Sequence, residues 1–207
     1  MKSILLSCVA VLAMALTPAF AQELAIGEAA PMPDAPMMGV DGEKHTLNSL
    51  KQEKGLLVIF SCNTCPFVVG NGTKTEGWEG RYNGVAAFAA ERQVGTVLVN
   101  SNEAKREGDD SFPAMRKHAA AAGYTMPYLV DEGSKLANNL GARTTPHIYL
   151  FDGDMNLVYR GSIDDNVSRA EDVEERYLEN ALDRLAAGKK IKVAETKAVG
   201  CSIKRVK

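Results

Sequence analysis

The sequence predicts an α/β fold: a mixed central sheet flanked by helices, with an N-terminal hairpin and a C-terminal tail extension. Three observations carry that prediction. Short apolar runs at residues 56–60, 94–100 and 147–151 have the length and Val/Ile content of strands buried on both faces. Segments of helical spacing alternate with them, as in chains that build a partly parallel sheet. After the third run, Asp152-Gly153 turns the chain into residues 155–160, a hairpin that makes one edge of the sheet antiparallel.

Taken in order, residues 1–21 read as a signal peptide: Lys2 supplies a positive start, residues 4–16 are almost wholly apolar, and Ala19-Phe20-Ala21 is an A-x-A cleavage site. The mature chain is expected to begin at Gln22, and Cys8 leaves with the signal. The apolar run falls short of the ~20 residues of a membrane-spanning helix, so no anchor is expected after cleavage. The protein is expected to be exported: periplasmic in a Gram-negative bacterium, secreted otherwise. Residues 22–207 are read as one domain that includes a tail at 188–207.

Residues 22–36 are an extended lead-in. Residues 37–40 and 44–47 flank Asp41-Gly42-Glu43, a turn signal for a hairpin. After the strand at 56–60, Gly70, Gly72 and Gly77 interrupt any helix before Trp78. Residues 81–92 place Tyr82, Val85, Phe88 and Ala89 on one helical stripe. Ser111 and Pro113 open a helix that Gly123 stops. Residues 127–131 form a short strand, 134–140 a short helix ended by Gly141, and 171–187 a helix closed by Gly188.

Without Lys2, 23 basic side chains face 26 acidic ones, a balance that argues against nucleic-acid or anionic-membrane partners. Three cysteines remain: Cys62, Cys65 and Cys201. An odd number in an oxidising compartment does not read as a disulfide scaffold, so cysteine here points to chemistry.

Cys62-Asn63-Thr64-Cys65-Pro66 follows a buried strand and is expected to open a helix. A sulfur at a helix N-terminus meets unpaired N–H groups and the positive end of the dipole, which favours thiolate. Cys62 is therefore the candidate nucleophile, and Cys65, one turn on, the resolving thiol. Two other uses of such a pair are open. A zinc site needs two more ligands, for which only Cys201 and three scattered histidines are available, so no metal site is assigned. An inert structural disulfide would close a very small loop and stabilise little in the entropic account.

Thr145-Pro146, at the head of the third buried strand, is expected to be a cis bond that faces the dithiol and offers backbone to a bound partner chain. His147 beside it is the one histidine expected near the site. Cys201 lies in a basic tail and reads either as an ordinary thiol or as a third redox thiol, able to pair with Cys62 or a partner and favoured as thiolate by Lys204 and Arg205.

These residues resemble the thioredoxin-like superfamily and, within it, the peroxiredoxin-like redoxin (AhpC/TSA-type) branch. The matching segments are residues 60–67, 99–102, 127–131, 159–166 and 200–204; of these, Arg160-Gly161-Ser162-Ile163-Asp164-Asp165-Asn166 and Gly200-Cys201-Ser202-Ile203-Lys204 are the more specific to the branch. Peroxiredoxins proper resemble a Pro-x-x-x-Thr-x-x-Cys pattern with an arginine beside the thiolate. Here no proline precedes Cys62 at that spacing, Ser61 and Thr64 are the nearby hydroxyls, and Arg143 is the candidate stand-in. The buried acid that thioredoxins carry on the strand before the dithiol is also missing from residues 56–60. The resemblance implies a thiol-disulfide oxidoreductase with no cofactor, acting with protein disulfide or thiol partners and an external reductant. The alternatives are a thiol peroxidase that reduces hydroperoxides through Cys62 and a redox-inert or metal-carrying binding module of the same fold.

Overall fold

The computed structural model describes residues 22–206, so the expected signal peptide lies outside the described residues. The near-continuous apolar run at the centre becomes β3 (Gly55–Ser61), every residue of which is buried. Its side chains alternate between two cores. Leu57 and Ile59 enter one, and Leu56, Val58 and Phe60 the other. β4 (Val94–Asn100) and β5 (Tyr128–Val130) run parallel to it on one side. On the other side β7 (His147–Asp152) is antiparallel to β3, and β8 (Leu157–Gly161) is antiparallel to β7.

The N-terminal hairpin forms as expected, with β1 (Met37–Gly39) and β2 (Lys44–His45) paired through Met37↔His45. β1 joins β5, completing a seven-stranded mixed sheet in the order β2-β1-β5-β4-β3-β7-β8. The second strand is shorter than its sequence suggests. Thr46 starts a capping box with Ser49 and opens α1 (Leu47–Leu50) instead of extending the ladder.

On the first face of the sheet pack α3 (Glu79–Ala90), α4 (Phe112–Ala122) and α6 (Tyr177–Ala186), which contribute Tyr82, Val85, Met115, Leu178 and Leu182. On the second lie α1 and α5 (Lys135–Leu140), with Leu47, Leu136 and Leu140. The stop at Gly123 has left-handed backbone, as does Gly141 after α5. Ser111 occupies the N-cap position of α4, but its side chain makes no capping hydrogen bond.

The last helix starts six residues later than its sequence suggests. Residues 170–172 form one 3-10 turn, and residues 174–175 are held in a loop by Asp165: its carboxylate accepts from the Glu174 N–H, and its N–H donates to the Glu175 carbonyl. The free edge of β8 is covered twice. The lead-in pairs at Leu157, and the tail pairs at Arg160. The tail then crosses to β6 (Thr144–Thr145), where β9 (Cys201–Ser202) forms a separate two-stranded ladder.

The Asp-Asp-Asn segment near residue 165 proves to be a clamp. Buried Asp164 accepts from the Trp78 indole N–H at 2.7 Å, from Arg81 Nη1 at 2.5 Å and from the Asn166 N–H at 3.0 Å. It ties the start of α3 to the loop after β8. Asp164→Ala removes the acceptor and leaves Arg81 partly buried; unfolding free energy is expected to fall by about 3 kcal/mol in a denaturant titration. A midpoint equal to that of the parent would refute the clamp.

Candidate active site

The site lies at the C-terminal end of β3, where the chain leaves the sheet. Cys62 follows that strand directly, and both dithiol cysteines are buried, at 2% and 4% exposure. The helix after the dithiol is α2 (Pro66–Val69), a single turn with Pro66 at its first position. Cys65 is its N-cap residue, so the expectation that Cys62 opens the helix is corrected: the chain bends at Asn63 and Thr64, and the helical turn begins only at Pro66. α2 ends at Gly70, whose positive φ and lack of Cβ let it and Gly77 approach each other's backbone. The Phe67 N–H lies near the Cys65 sulfur, without the geometry of a capping hydrogen bond.

Thr145 faces both sulfurs. Its peptide bond to Pro146 is cis, as expected. The Thr145 hydroxyl lies 3.2 Å from Cys62 Sγ, and its carbonyl oxygen lies 3.0 Å from Cys65 Sγ. Cys201 is its ladder partner across β6–β9. From there the Cys201 thiol and N–H reach the Cys65 sulfur. The third thiol therefore neighbours Cys65, not the expected Cys62, and all three cysteines are free thiols.

The two dithiol sulfurs shift each other in opposite directions. Cys65 is the largest influence pushing Cys62 far above the usual thiol value, with burial and the charge of Asp110 adding to it. Cys62 in turn draws Cys65 below the usual thiol value, helped by Cys201 against burial. The Cys65 thiol donates to the Thr145 carbonyl, while Cys62 faces the Thr145 hydroxyl and the Thr64 N–H.

Cys201 is pushed up to about 11 by burial first and then by Cys65, with Lys204 opposing. Arg205 does not assist, since its guanidinium binds the Asn138 side chain and the Ala142 carbonyl. Arg143 also lies apart from the thiols; it is well exposed and pairs with Glu23 at 3.4 Å.

Asp110 does not stand out by its position in a charged stretch of sequence. It is fully buried, and its carboxylate accepts from the Asn63 N–H at 2.9 Å, from Asn100 Nδ2 at 2.7 Å and from Asn102 Nδ2 at 3.0 Å. The Tyr128 hydroxyl extends the network, donating to Asn63 Oδ1 at 3.0 Å and accepting from Asn100 at 2.8 Å. A buried acid therefore does attend the dithiol, supplied by the loop before α4 instead of by β3. Among the described residues no group of three or more His, Cys, Asp or Glu side chains could hold a metal ion.

The redoxin sequence model matches residues 25–175. The chain belongs to the redoxin family. Among solved structures, this redoxin is similar to a hypothetical protein of Sinorhizobium meliloti 1021, with 30% identity and a TM-score of 0.78 over 89% of this chain and 97% of the other. It is similar to an uncharacterized conserved protein of Geobacillus kaustophilus, with 31% identity and a TM-score of 0.77 over 88% and 93%. It shares its fold with a secreted Mycobacterium tuberculosis disulfide oxidoreductase, at 16% identity and a TM-score of 0.54 over 77% of this redoxin and 99% of that chain. No curated protein matches it.

His147, expected near the site, is 2% exposed and stacks on Tyr149 with ring centroids 4.7 Å apart. Burial, then the charges of Arg160 and Arg143, pull it down to about 3 from 6.5. The unfolded chain therefore binds a proton between those values that the folded redoxin does not, and stability must fall as pH drops below 6.5. The expected contribution is about 1.4 kcal/mol per pH unit. Denaturant titrations of the parent and of His147→Gln at several pH values check this: the slope difference is expected between pH 6.5 and 3, and parallel profiles would disprove it.

Proposed function

We propose that this redoxin is an exported thiol-disulfide oxidoreductase. The observation that supports it is the convergence of three free thiols on Thr145, beside a short strand able to hold an extended chain. Cys62, as thiolate, attacks one sulfur of a partner disulfide; a mixed disulfide forms and one partner thiolate leaves. Cys65 then loses its proton and attacks Cys62, releasing the second partner thiol. Two electrons pass from the dithiol to the partner, and an external dithiol reductant restores the pair. Thr145 and Pro146 orient the bound chain. Cys201, next to Cys65, acts as a third redox thiol that can exchange into the Cys62–Cys65 disulfide. Disulfide exchange is favoured over peroxide reduction because the charge that acts on Cys62 is the carboxylate of Asp110, while Arg143 is engaged with Glu23.

The reading is tested with purified mature protein. The parent is expected to reduce insulin disulfides with a dithiol reductant present, Cys62→Ser to fall to background, and Cys65→Ser to retain a partner as a mixed disulfide on Cys62. Hydroperoxide consumption lost in Cys62→Ser but kept in Cys65→Ser, with no insulin reduction, would replace this reading by the peroxidase. Export is checked by fractionation and N-terminal sequencing, with Gln22 as the expected first residue.

A further inference from the structure

The tail occupies the place a substrate would need. A polypeptide presenting a cysteine to Cys62 must approach Thr145, and the backbone edge available there is β6. That edge is already paired. Thr144 faces Ser202 and Thr145 faces Cys201 in an antiparallel ladder, extended by the Ile203 N–H to the Arg143 carbonyl at 2.9 Å. A cysteine of this chain thus lies opposite Thr145, within reach of the dithiol.

Two features make the fit selective. A Cβ on Gly200 would stand 2.3 Å from the Thr145 carbonyl oxygen and 2.6 Å from its carbon, so the residue before the cysteine cannot carry a side chain in this pose. Two residues after the cysteine, Ile203 is buried at 5% exposure in the core beneath α1 and α5. The flanking anchors follow the strand: the Lys204 N–H donates to Asn102 Oδ1 and the Lys204 carbonyl accepts from the Ala104 N–H, both at 2.8 Å, and the Arg205 guanidinium binds the Asn138 side chain and the Ala142 carbonyl. A two-residue strand in its own two-stranded ladder opens more readily than the central sheet.

We infer that residues 199–204 are a displaceable, substrate-like strand, and that the redoxin's partners are extended polypeptides with glycine before the reacting cysteine and a branched apolar residue two positions after it. The partner chain takes the tail's place on β6 by strand addition, its cysteine opposite Thr145, whose hydroxyl lies 3.2 Å from Cys62 Sγ, and its apolar side chain in the Ile203 pocket. This rests on the oxidoreductase reading and adds the identity of the partner and the gate.

The test uses the full mature chain as Cys65→Ser/Cys201→Ser, so that an adduct on Cys62 cannot be resolved. The probe is the peptide Ala-Val-Gly-Cys-Ser-Ile-Lys-Arg with its cysteine activated as a 2-thiopyridyl disulfide. Cys62 thiolate attacks the peptide sulfur, the mixed disulfide forms and thiopyridone leaves, which is read by absorbance. Adding Gly200→Val, which drives the tail off Thr145, is expected to raise the rate at least about tenfold. Ile203→Ala, which empties the anchor without touching the β6 edge, is expected to act in the same direction and stands in if the first variant misfolds. In the loosened protein a peptide with Val for Gly and Asp for Ile is expected to react at least about fivefold more slowly. Equal rates for the two peptides, or no acceleration when the tail is loosened, overturn the inference and leave the oxidoreductase reading intact. No adduct with either peptide in any variant overturns both.

Discussion

The hydrogen-bonding groups of Thr145 are the constraint on which the site depends. One residue presents a hydroxyl to Cys62, a carbonyl to Cys65 and a ladder position to Cys201. These three groups are not interchangeable. A hydroxyl can donate to a sulfur or accept from one, whereas a carbonyl only accepts. Thr145 can therefore serve both sulfurs at once: its carbonyl accepts from the Cys65 thiol, and its hydroxyl faces Cys62. The strand after it fixes its position. β7 begins at His147 and is buried between β3 and β8, so the end of β6 is held against the end of β3 by the central sheet itself.

Around that point, three buried carboxylates act as loop anchors. Asp110 gathers the Asn63 backbone with the side chains of Asn100 and Asn102. Asp131 accepts from the Ser101 hydroxyl and from the N–H groups of Leu136 and Ala137 at the start of α5. Asp164 holds Trp78 and Arg81. Each receives three or more donors, which offsets the cost of taking a carboxylate out of water. The Val-Asn-Ser-Asn segment at the end of β4 thus acquires a physical meaning: Asn100, Ser101 and Asn102 serve the anchors that shape the loops over the dithiol.

Much of this was legible in the sequence, and the remainder divides by mechanism. β3, β4 and β7 are readable because strands buried on both faces must be apolar throughout. The proline before β7 and the cysteine spacing locate the site because few local structures use them. Asp110 was not readable, because among the charges of residues 101–110 a buried carboxylate looks like a solvated one; its partner Asn63 lies 47 positions away. The start of α6 was misread because Val173 lies on the apolar stripe of Tyr177, Leu178, Ala181 and Leu182, while Asp165 claims the backbone of residues 174–175. Cys201, 136 positions after Cys65, is likewise brought beside the dithiol only by its ladder with Thr145.

The burial of the dithiol bears on how such a site can work at all. Cys62, at 2% exposure, cannot meet a protein disulfide without some part of the fold moving. Asp110, Asn100 and Asn102 on one side are buried and multiply bonded, and β3 behind is the centre of the sheet. Residues 199–204 form the element with a short ladder and one buried side chain, Ile203. Motion of the tail also changes the thiols, since it removes the Cys201 donors from Cys65 and with them part of what draws that thiol down. Opening of the tail therefore changes both the access to the dithiol and the surroundings of Cys65.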